Sequence, residues 1–413
     1  MNYGLIGEKL GHSFSADIHG MLGDYEYQLK EISPDKVGEF MQNPSFKGIN
    51  VTIPYKQTVI PFLSEMDEGA KTIGAVNTVV NKNGKLYGYN TDFYGMLSLL
   101  KRIGAEPKGK KTLILGTGGT SKTAVAVVKA MGGTDVYRVS RGGAEGALTY
   151  DEAMKLHSDA DIIINTTPAG MYPKVEACPI DIDAFPRLSA VADAVYNPLR
   201  SRLVLAAQEK GIAAEGGLYM LVAQAVRASE LFLDVKYDAE TVNKVFQKIR
   251  SQKENIVLVG MPSCGKTTIG AILAAELGRQ CIDTDKMIET TANMSIPQIF
   301  ATEGEKAFRD KEYAEIVRAS LNSGVIIATG GGAVLRAENI KALKQNGRVY
   351  FIDRPLQQLM PTDDRPLAGS IEAITARYNE RYGIYTSVAD VRVDNSTTAN
   401  AAAAQIKKEF CGI

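Results

Sequence analysis

Apolar residues recur along the chain in short β-branched runs, and the stretches between them carry apolar positions at helical spacing. Runs at 3–6, 26–32 and 48–53 read as strands with helix-like segments between them. "AVNTVVNKNGKLYGYNTD" reads as a hairpin turning at Asn83-Gly84, a dipeptide that tolerates the positive φ angles of a tight two-residue turn. "KTLILG" (111–116) has a buried-strand pattern, "GTGGTSKTAVAVVKAMGG" is a glycine loop running into a helix, and "DVYRVS" is a second strand, which together make a βαβ unit. Further strands are expected at 161–165 and 190–195, and an apolar helix over 218–233. The polar stretch "QKIRSQKEN" (247–255) has Ile249 as its one β-branched residue and reads as a linker. Strands are expected again at 256–260, 279–282, 324–329, 348–352 and 390–394, and the alanine-rich "TTANAAAAQIKKEF" reads as a closing helix. Strands alternating with helices predict an α/β protein with mainly parallel sheets. The two glycine loops differ in spacing, so no internal repeat underlies the pattern.

Composition narrows the class of partner. At about 150 residues per domain, 413 residues predict two or three domains. The 47 Lys+Arg balance the 47 Asp+Glu, so no general attraction to nucleic acid or an anionic membrane is expected, and small molecules are the expected partners. Cys178, Cys264, Cys281 and Cys411 are widely spaced with no CxxC pair, which argues against a disulfide framework and against a zinc site. Three scattered histidines do not suggest a metal centre either. No run approaches the roughly 20 apolar residues of a membrane span, and the first residues lack a basic-then-apolar leader pattern. A soluble protein of the reducing cytoplasm is expected.

The strand-loop-helix at 257–268 carries the most specific chemistry. GMPSCGKT satisfies GxxxxGK[ST], in which backbone N–H groups at a helix N-terminus cradle phosphate oxygens. Lys266 adds a point charge on the transferable phosphate and Thr267 a hydroxyl for Mg²⁺. Downstream, Asp283 and Asp285 in "CIDTDK" alternate on a strand end and so point the same way, either as a solvated acidic turn or as a Mg²⁺ ligand beside a hydroxyl acceptor. Arg309 is expected on a helix, where Glu305 could pair with it. "ATGGGAV" puts three glycines at a strand end, and Arg365 and Arg381 follow.

With these residues in hand, 254–413 resembles shikimate kinase along its whole length. The resemblance implies a parallel-sheet fold of the nucleoside-monophosphate-kinase type that binds ATP through Pro262, Ser263, Cys264, Gly265, Lys266 and Thr267. It implies Mg²⁺ at Thr267 and Asp283, catalysis by Lys266 and Asp285, and shikimate held by Asp285, Arg309, Gly331 and Arg381. Arg365 would belong to a lid, and the segment "LQQLMPTDDRPLAG" is short for one.

The front half is read from a group of residues. "GTGGTSKTA" departs from GxGxxG and serves either packing or a dinucleotide. Arg141 stands after the next strand where an acidic residue would select NAD, which favours a 2′-phosphate. Ser13 and Ser15 enter a helix, Lys56 follows a strand, and Asn77 and Asp92 stand near strand ends; singly, Ser15 or Asp92 could be only a helix cap. Together they outline a site for a polyhydroxylated anion with a Lys/Asp pair. With "AVYNP" (Tyr196) and "GGLYMLVAQA" (Gly217, Gln224), residues 1–248 resemble shikimate dehydrogenase.

That resemblance implies NADPH-dependent reduction of 3-dehydroshikimate to shikimate. Lys56 and Asp92 would be the catalytic pair, Ser13 and Ser15 would bind the carboxylate, and Thr52, Asn77, Tyr196 and Gln224 would contact the ring. Gly116, Gly118, Gly119, Thr120, Ser140, Arg141, Ala194 and Gly217 would surround NADP(H). The expected domains are a substrate domain (1–95, joined by a C-terminal helix at about 229–248), a Rossmann-like NADP domain (96–228), a linker (249–254) and a P-loop domain (255–413). The chain is thus expected to be bifunctional. The alternatives are that one half serves as a ligand-binding module, or that the first half also accepts quinate. The oligomeric state is left open.

Overall fold

Three β-sheets account for the apolar runs. The computed structural model describes residues 1–10, 14–143, 146–360 and 370–412 and divides into two compact units, Met1–Ile249 and Arg250–Ile413.

The first unit holds two sheets. In one, Tyr3–Gly7 lies between the parallel strands Tyr27–Glu31 and Gly48–Val51, and the antiparallel hairpin Thr78–Lys82/Lys85–Tyr89 extends the sheet to the short edge strand Glu65–Met66. Asn83 and Gly84 have φ of 54° and 83°, the pair of positive angles that a type I′ turn requires. The other sheet is all parallel: Thr112–Leu115 is flanked by Val136–Val139 and by Ile162–Asn165, Ala190–Asp193 and Ala213–Glu215 in turn. Ile162, Ile163, Ile164, Leu113 and Ile114 are fully buried, as strands covered by helices on both faces must be.

The second unit is one parallel sheet in the spatial order Cys281–Asp283, Ile326–Ala328, Asn255–Val259, Gly347–Asp353, Val391–Asp394. In both parallel sheets the chemistry-bearing residues follow the carboxyl ends of strands, where such folds bind ligands. Gly116 follows Leu115, Gly260 follows Val259, and Asp283 ends its own strand.

Helices run across the expected domain borders. Positions 95 and 228 fall inside the helices Thr91–Arg102 and Leu218–Leu233, which pack on each other, so the two lobes of the first unit are joined by unbroken helices. The returning helix ends at Leu233, where Asp234 adopts φ 54°, and a new helix spans Thr241–Lys253. The stretch 249–254, where the first unit gives way to the second, is helical to Lys253 and enters the strand at Asn255. Its charged residues conceal a helical apolar period, since Val242, Val245, Phe246 and Ile249 are all buried.

Two candidate active sites

The first site is a cleft of about 380 Å³ that gathers Ser15, Thr52, Lys56, Asn77, Asp92, Tyr196 and Gln224 from separate segments of the first unit. Local structure frees the key groups for it. Asn90, not Asp92, caps the helix Thr91–Arg102, accepting from Phe93 N at 3.3 Å, so the Asp92 carboxylate turns to Lys56 Nζ at 2.5 Å. Phe14, not Ser15, occupies the N-cap position of its helix, and Ser15 is buried on the cleft wall. Asn77 Oδ1 accepts from Thr91 N at 2.7 Å and from Thr78 Oγ1 at 3.1 Å. Gln224 Oε1 accepts from Thr91 Oγ1 at 3.2 Å, and burial pushes the Tyr196 phenol up, keeping it a donor. Lys9, Leu10 and Asn50 also line the cleft and were missed by the sequence reading; a lone lysine after a strand and an asparagine within a short strand carry no signal of their own. Ser13 lies outside the described residues.

The first unit also presents a backbone surface suited to a dinucleotide. Gly116 has φ 116°, and a Cβ there would meet Thr166 Oγ1 at 2.7 Å. The helix Gly119–Ala130 begins at Gly118 with no side-chain cap, and nothing lies within 4 Å of where a Cβ on Gly118 or Gly119 would stand. Uncapped N–H groups at an open helix start fit a pyrophosphate, with Thr120 in the same first turn. Gly217 abuts the Ala194 carbonyl so closely that any side chain would collide, which brings these two residues together. Arg141 is exposed after its strand, and Ser140 donates its N–H to Leu148 O at 2.8 Å.

The second site is built on the phosphate loop. Gly265, at φ 98°, opens the helix Lys266–Leu277 without a side-chain cap, and Lys266 folds back to give its ammonium to Gly260 O (2.8 Å) and Met261 O (2.9 Å). Those bonds hold the lysine inside the loop, where phosphate oxygens would replace the carbonyls. Cys264 turns its side chain into the core and takes part through its backbone; its carbonyl accepts from Asn395 Nδ2 at 2.8 Å. Thr267 Oγ1 stands 3.1 Å from Asp283 Oδ2, an adjacent hydroxyl and carboxylate that fit a hard cation bound jointly with phosphates.

The triple glycine explains how the acceptor side is assembled. A Cβ on Gly330 would strike the Asp285 carboxylate, one on Gly331 would press on Pro262, and one on Gly332 would strike the Arg309 guanidinium. Arg309 donates to Glu312 at 2.9 Å and also to Glu305 at 3.2 Å, so the helix pairing foreseen from the spacing coexists with the site. Glu312 is nearly fully buried; burial pushes its carboxyl up, against the opposing pull of Arg309, with Asp285 and Arg381 acting on it as well. Arg381 is itself buried, and one turn on Tyr385 donates its hydroxyl to Gly331 O. Glu312 was not foreseen, since a glutamate in a charged helix reads as solvated until the tertiary fold buries it. Arg365 lies outside the described residues.

Fold and sites define a nucleotide-dependent α/β oxidoreductase followed on the same chain by a P-loop phosphotransferase. Residues 5–79 match the family model of the shikimate dehydrogenase substrate binding domain, and residues 262–411 match that of shikimate kinase. The chain is 36% identical over 268 residues to a shikimate dehydrogenase (NADP(+)) of Clostridium beijerinckii, an alignment covering 61% of this chain and 98% of that protein. It is 37% identical over 262 residues to that of Halothermothrix orenii, covering 56% and 91%. Among solved structures, a chorismate mutase/shikimate 5-dehydrogenase fusion protein from Clostridium acetobutylicum is 36% identical with a TM-score of 0.57, covering 60% of this chain and 96% of that one. Shikimate 5-dehydrogenase from Thermus thermophilus in complex with NADP(H) and shikimate is 27% identical with a TM-score of 0.53, covering 60% and 99%. The chain belongs to the shikimate dehydrogenase family and continues into a shikimate kinase domain.

Proposed function

We propose that the first unit reduces 3-dehydroshikimate to shikimate with NADPH and that the second phosphorylates shikimate with ATP to shikimate 3-phosphate, two steps of the shikimate pathway toward aromatic amino acids. The observation that carries this reading is the meeting of Lys56 and Asp92 at 2.5 Å inside a cleft of hydroxyl and amide groups. NADPH, when bound, supplies the hydride. Lys56 gives a proton to the ketone oxygen, and Asp92 holds the ammonium in place. Ser15, with Ser13, binds the ring carboxylate, and Thr52, Asn77, Tyr196 and Gln224 bind the ring and its hydroxyls. Gly118, Gly119 and Thr120 receive the pyrophosphate, Gly116, Ser140, Ala194 and Gly217 shape the cofactor's seat, and Arg141 selects the 2′-phosphate.

In the second unit Asp285 accepts the proton of the attacking hydroxyl, and Arg309, Arg381 and the Gly331 backbone hold the acid. Pro262 to Thr267 hold the phosphates, with Lys266 on the transferred group, Thr267 and Asp283 on Mg²⁺, and Arg365 as cover. Residues 1–95 with the returning helices serve as the substrate lobe and 96–228 as the cofactor lobe. The balanced charge supports small molecules as the ligands, with neither nucleic acid nor membrane as partner. Among the described residues no helix is long and apolar enough to cross a membrane, and the four cysteines are free thiols, which supports a reducing cytoplasm.

Paired assays test the reading. Lys56→Ala is expected to lower reduction by about 100-fold or more while leaving phosphorylation within twofold, and Lys266→Ala to do the reverse. Unchanged reduction in Lys56→Ala sinks the assignment of that residue; absence of either activity in the wild type sinks the bifunctional reading.

A further inference from the structure

A chain of hydrogen bonds runs into the first cleft from behind, and backbone groups fix the sense of each link. Asn50 Nδ2 lies 3.3 Å from Asn77 O, which only accepts, and 3.0 Å from Thr78 Oγ1, so Asn50 turns its Oδ1 the other way. There it accepts from the Tyr27 hydroxyl at 2.7 Å. Having accepted from Asn50, Thr78 passes its own proton forward, with Asn77 Oδ1 and Thr91 Oγ1 both 3.1 Å away. Asn77 Oδ1 also takes the backbone N–H of Thr91 at 2.7 Å, which identifies it as the oxygen. Thr91 in turn reaches Gln224 Oε1 at 3.2 Å, and Gln224 Nε2 is spent on Leu221 O at 3.0 Å. Among the described residues, nothing takes up Asn77 Nδ2, and Asn77 lines the cleft.

We infer that the Tyr27 hydroxyl is a positioning residue for the reduction: it holds the Asn50 amide and, through Thr78, makes Asn77 a pure N–H donor toward an oxygen of the substrate. This rests on the functional reading above. Without the hydroxyl, the buried Asn50 Oδ1 keeps only the neighbouring His19 side chain as a donor, and the hold on the amide weakens. A loosened Asn50 amide no longer fixes the Thr78 hydroxyl, so Asn77 Oδ1 is held by Thr91 alone and its Nδ2 is less firmly aimed. The relay has a firm base. Tyr27 stacks flat on the buried His19 (centroids 3.9 Å apart, planes within 5°), whose Nδ1 meets Tyr25 Oη at 2.6 Å. Burial pushes the Tyr27 phenol well above its usual range, so it remains a donor at any working pH.

The test is Tyr27→Phe in the full chain, alone and combined with Asn77→Ala. Loss of one oriented donor is expected to raise KM for 3-dehydroshikimate about five- to tenfold, with KM for NADPH and the kinase activity within twofold. In the Asn77→Ala background, Tyr27→Phe should add less than a further twofold. A KM within twofold of wild type overturns the inference. So does an equal added factor in the double variant, which would mark Tyr27 as a general structural support. A wild type that neither binds shikimate in a thermal-shift titration nor reduces 3-dehydroshikimate overturns the functional reading, and with it this one.

Discussion

Asp193, at the carboxyl end of its strand, is fully buried and accepts from Asn165 Nδ2 (2.9 Å), Val195 N (2.9 Å) and Ser201 Oγ (2.5 Å). Burial outweighs these donors and pushes its carboxyl from 3.8 up to about 6. A raised folded-state pKa means that the stabilisation is complete below pH 3.8 and is lost as pH rises through about 6, an effect of roughly 3 kcal/mol. Asp193→Asn, which keeps the shape, should therefore lose less stability than wild type between about pH 4 and 7. Hydrogen exchange in the strand Ala190–Asp193 measures this, and equal slopes in both proteins count against it. Gly332→Ala makes a second residue-scale case. The added methyl first meets the far end of the Arg309 side chain, which can move, so folding should change less than shikimate binding. The displaced guanidinium should raise KM for shikimate about tenfold or more, with KM for ATP unchanged; a proportionate loss in Tm instead would show that the glycine serves packing. Lys56, Asp92, Asp285 and Arg309 could be named from the sequence because each belongs to a group of residues that a family resemblance ties together. Asp193, Glu312 and Asn50 could not, because their significance comes from burial by distant segments.

At the scale of elements, helix Thr241–Lys253 shows both the reach and the limit of pattern. Its apolar spacing is present in the sequence, but five charged or amide residues between 247 and 253 outweigh it to the eye. What decides its state is a partner surface: Phe246 packs edge-on to Tyr219 (5.2 Å) and lies under the Arg102 guanidinium (4.7 Å), which also binds Glu215 and Asn243. Phe246→Ala removes a ring that is 1% exposed and should cost about 3–5 kcal/mol. A drop in Tm read through the NADPH-dependent activity checks this, and a shift of under a degree or two would mean the helix is dispensable to the first unit. The strands, by contrast, were legible nearly in place, because runs such as Thr112–Leu115 and Ile162–Asn165 are buried on both faces and tolerate little but apolar residues.

For the whole molecule, the two units each have their own sheets and cores, so each should report its ligands by its own unfolding transition. A ligand that binds only the folded state stabilises it by RT ln(1 + [L]/Kd), about 2.7 kcal/mol at a hundredfold excess over Kd. NADPH should raise the midpoint of the first unit and ATP with Mg²⁺ that of the second. Shikimate is the informative probe, since it is the product of one site and the acceptor of the other: it should raise both. Each unit can be followed separately, by calorimetry with proteolysis of the strands unfolded at each temperature. If shikimate protects the first unit alone, the cluster of Asp285, Arg309 and Arg381 recognises another acceptor. If it protects the second alone, the cleft around Lys56 and Asp92 is built for a different ring. Protection of both under the same titration is the result that joins the two halves through a single small molecule.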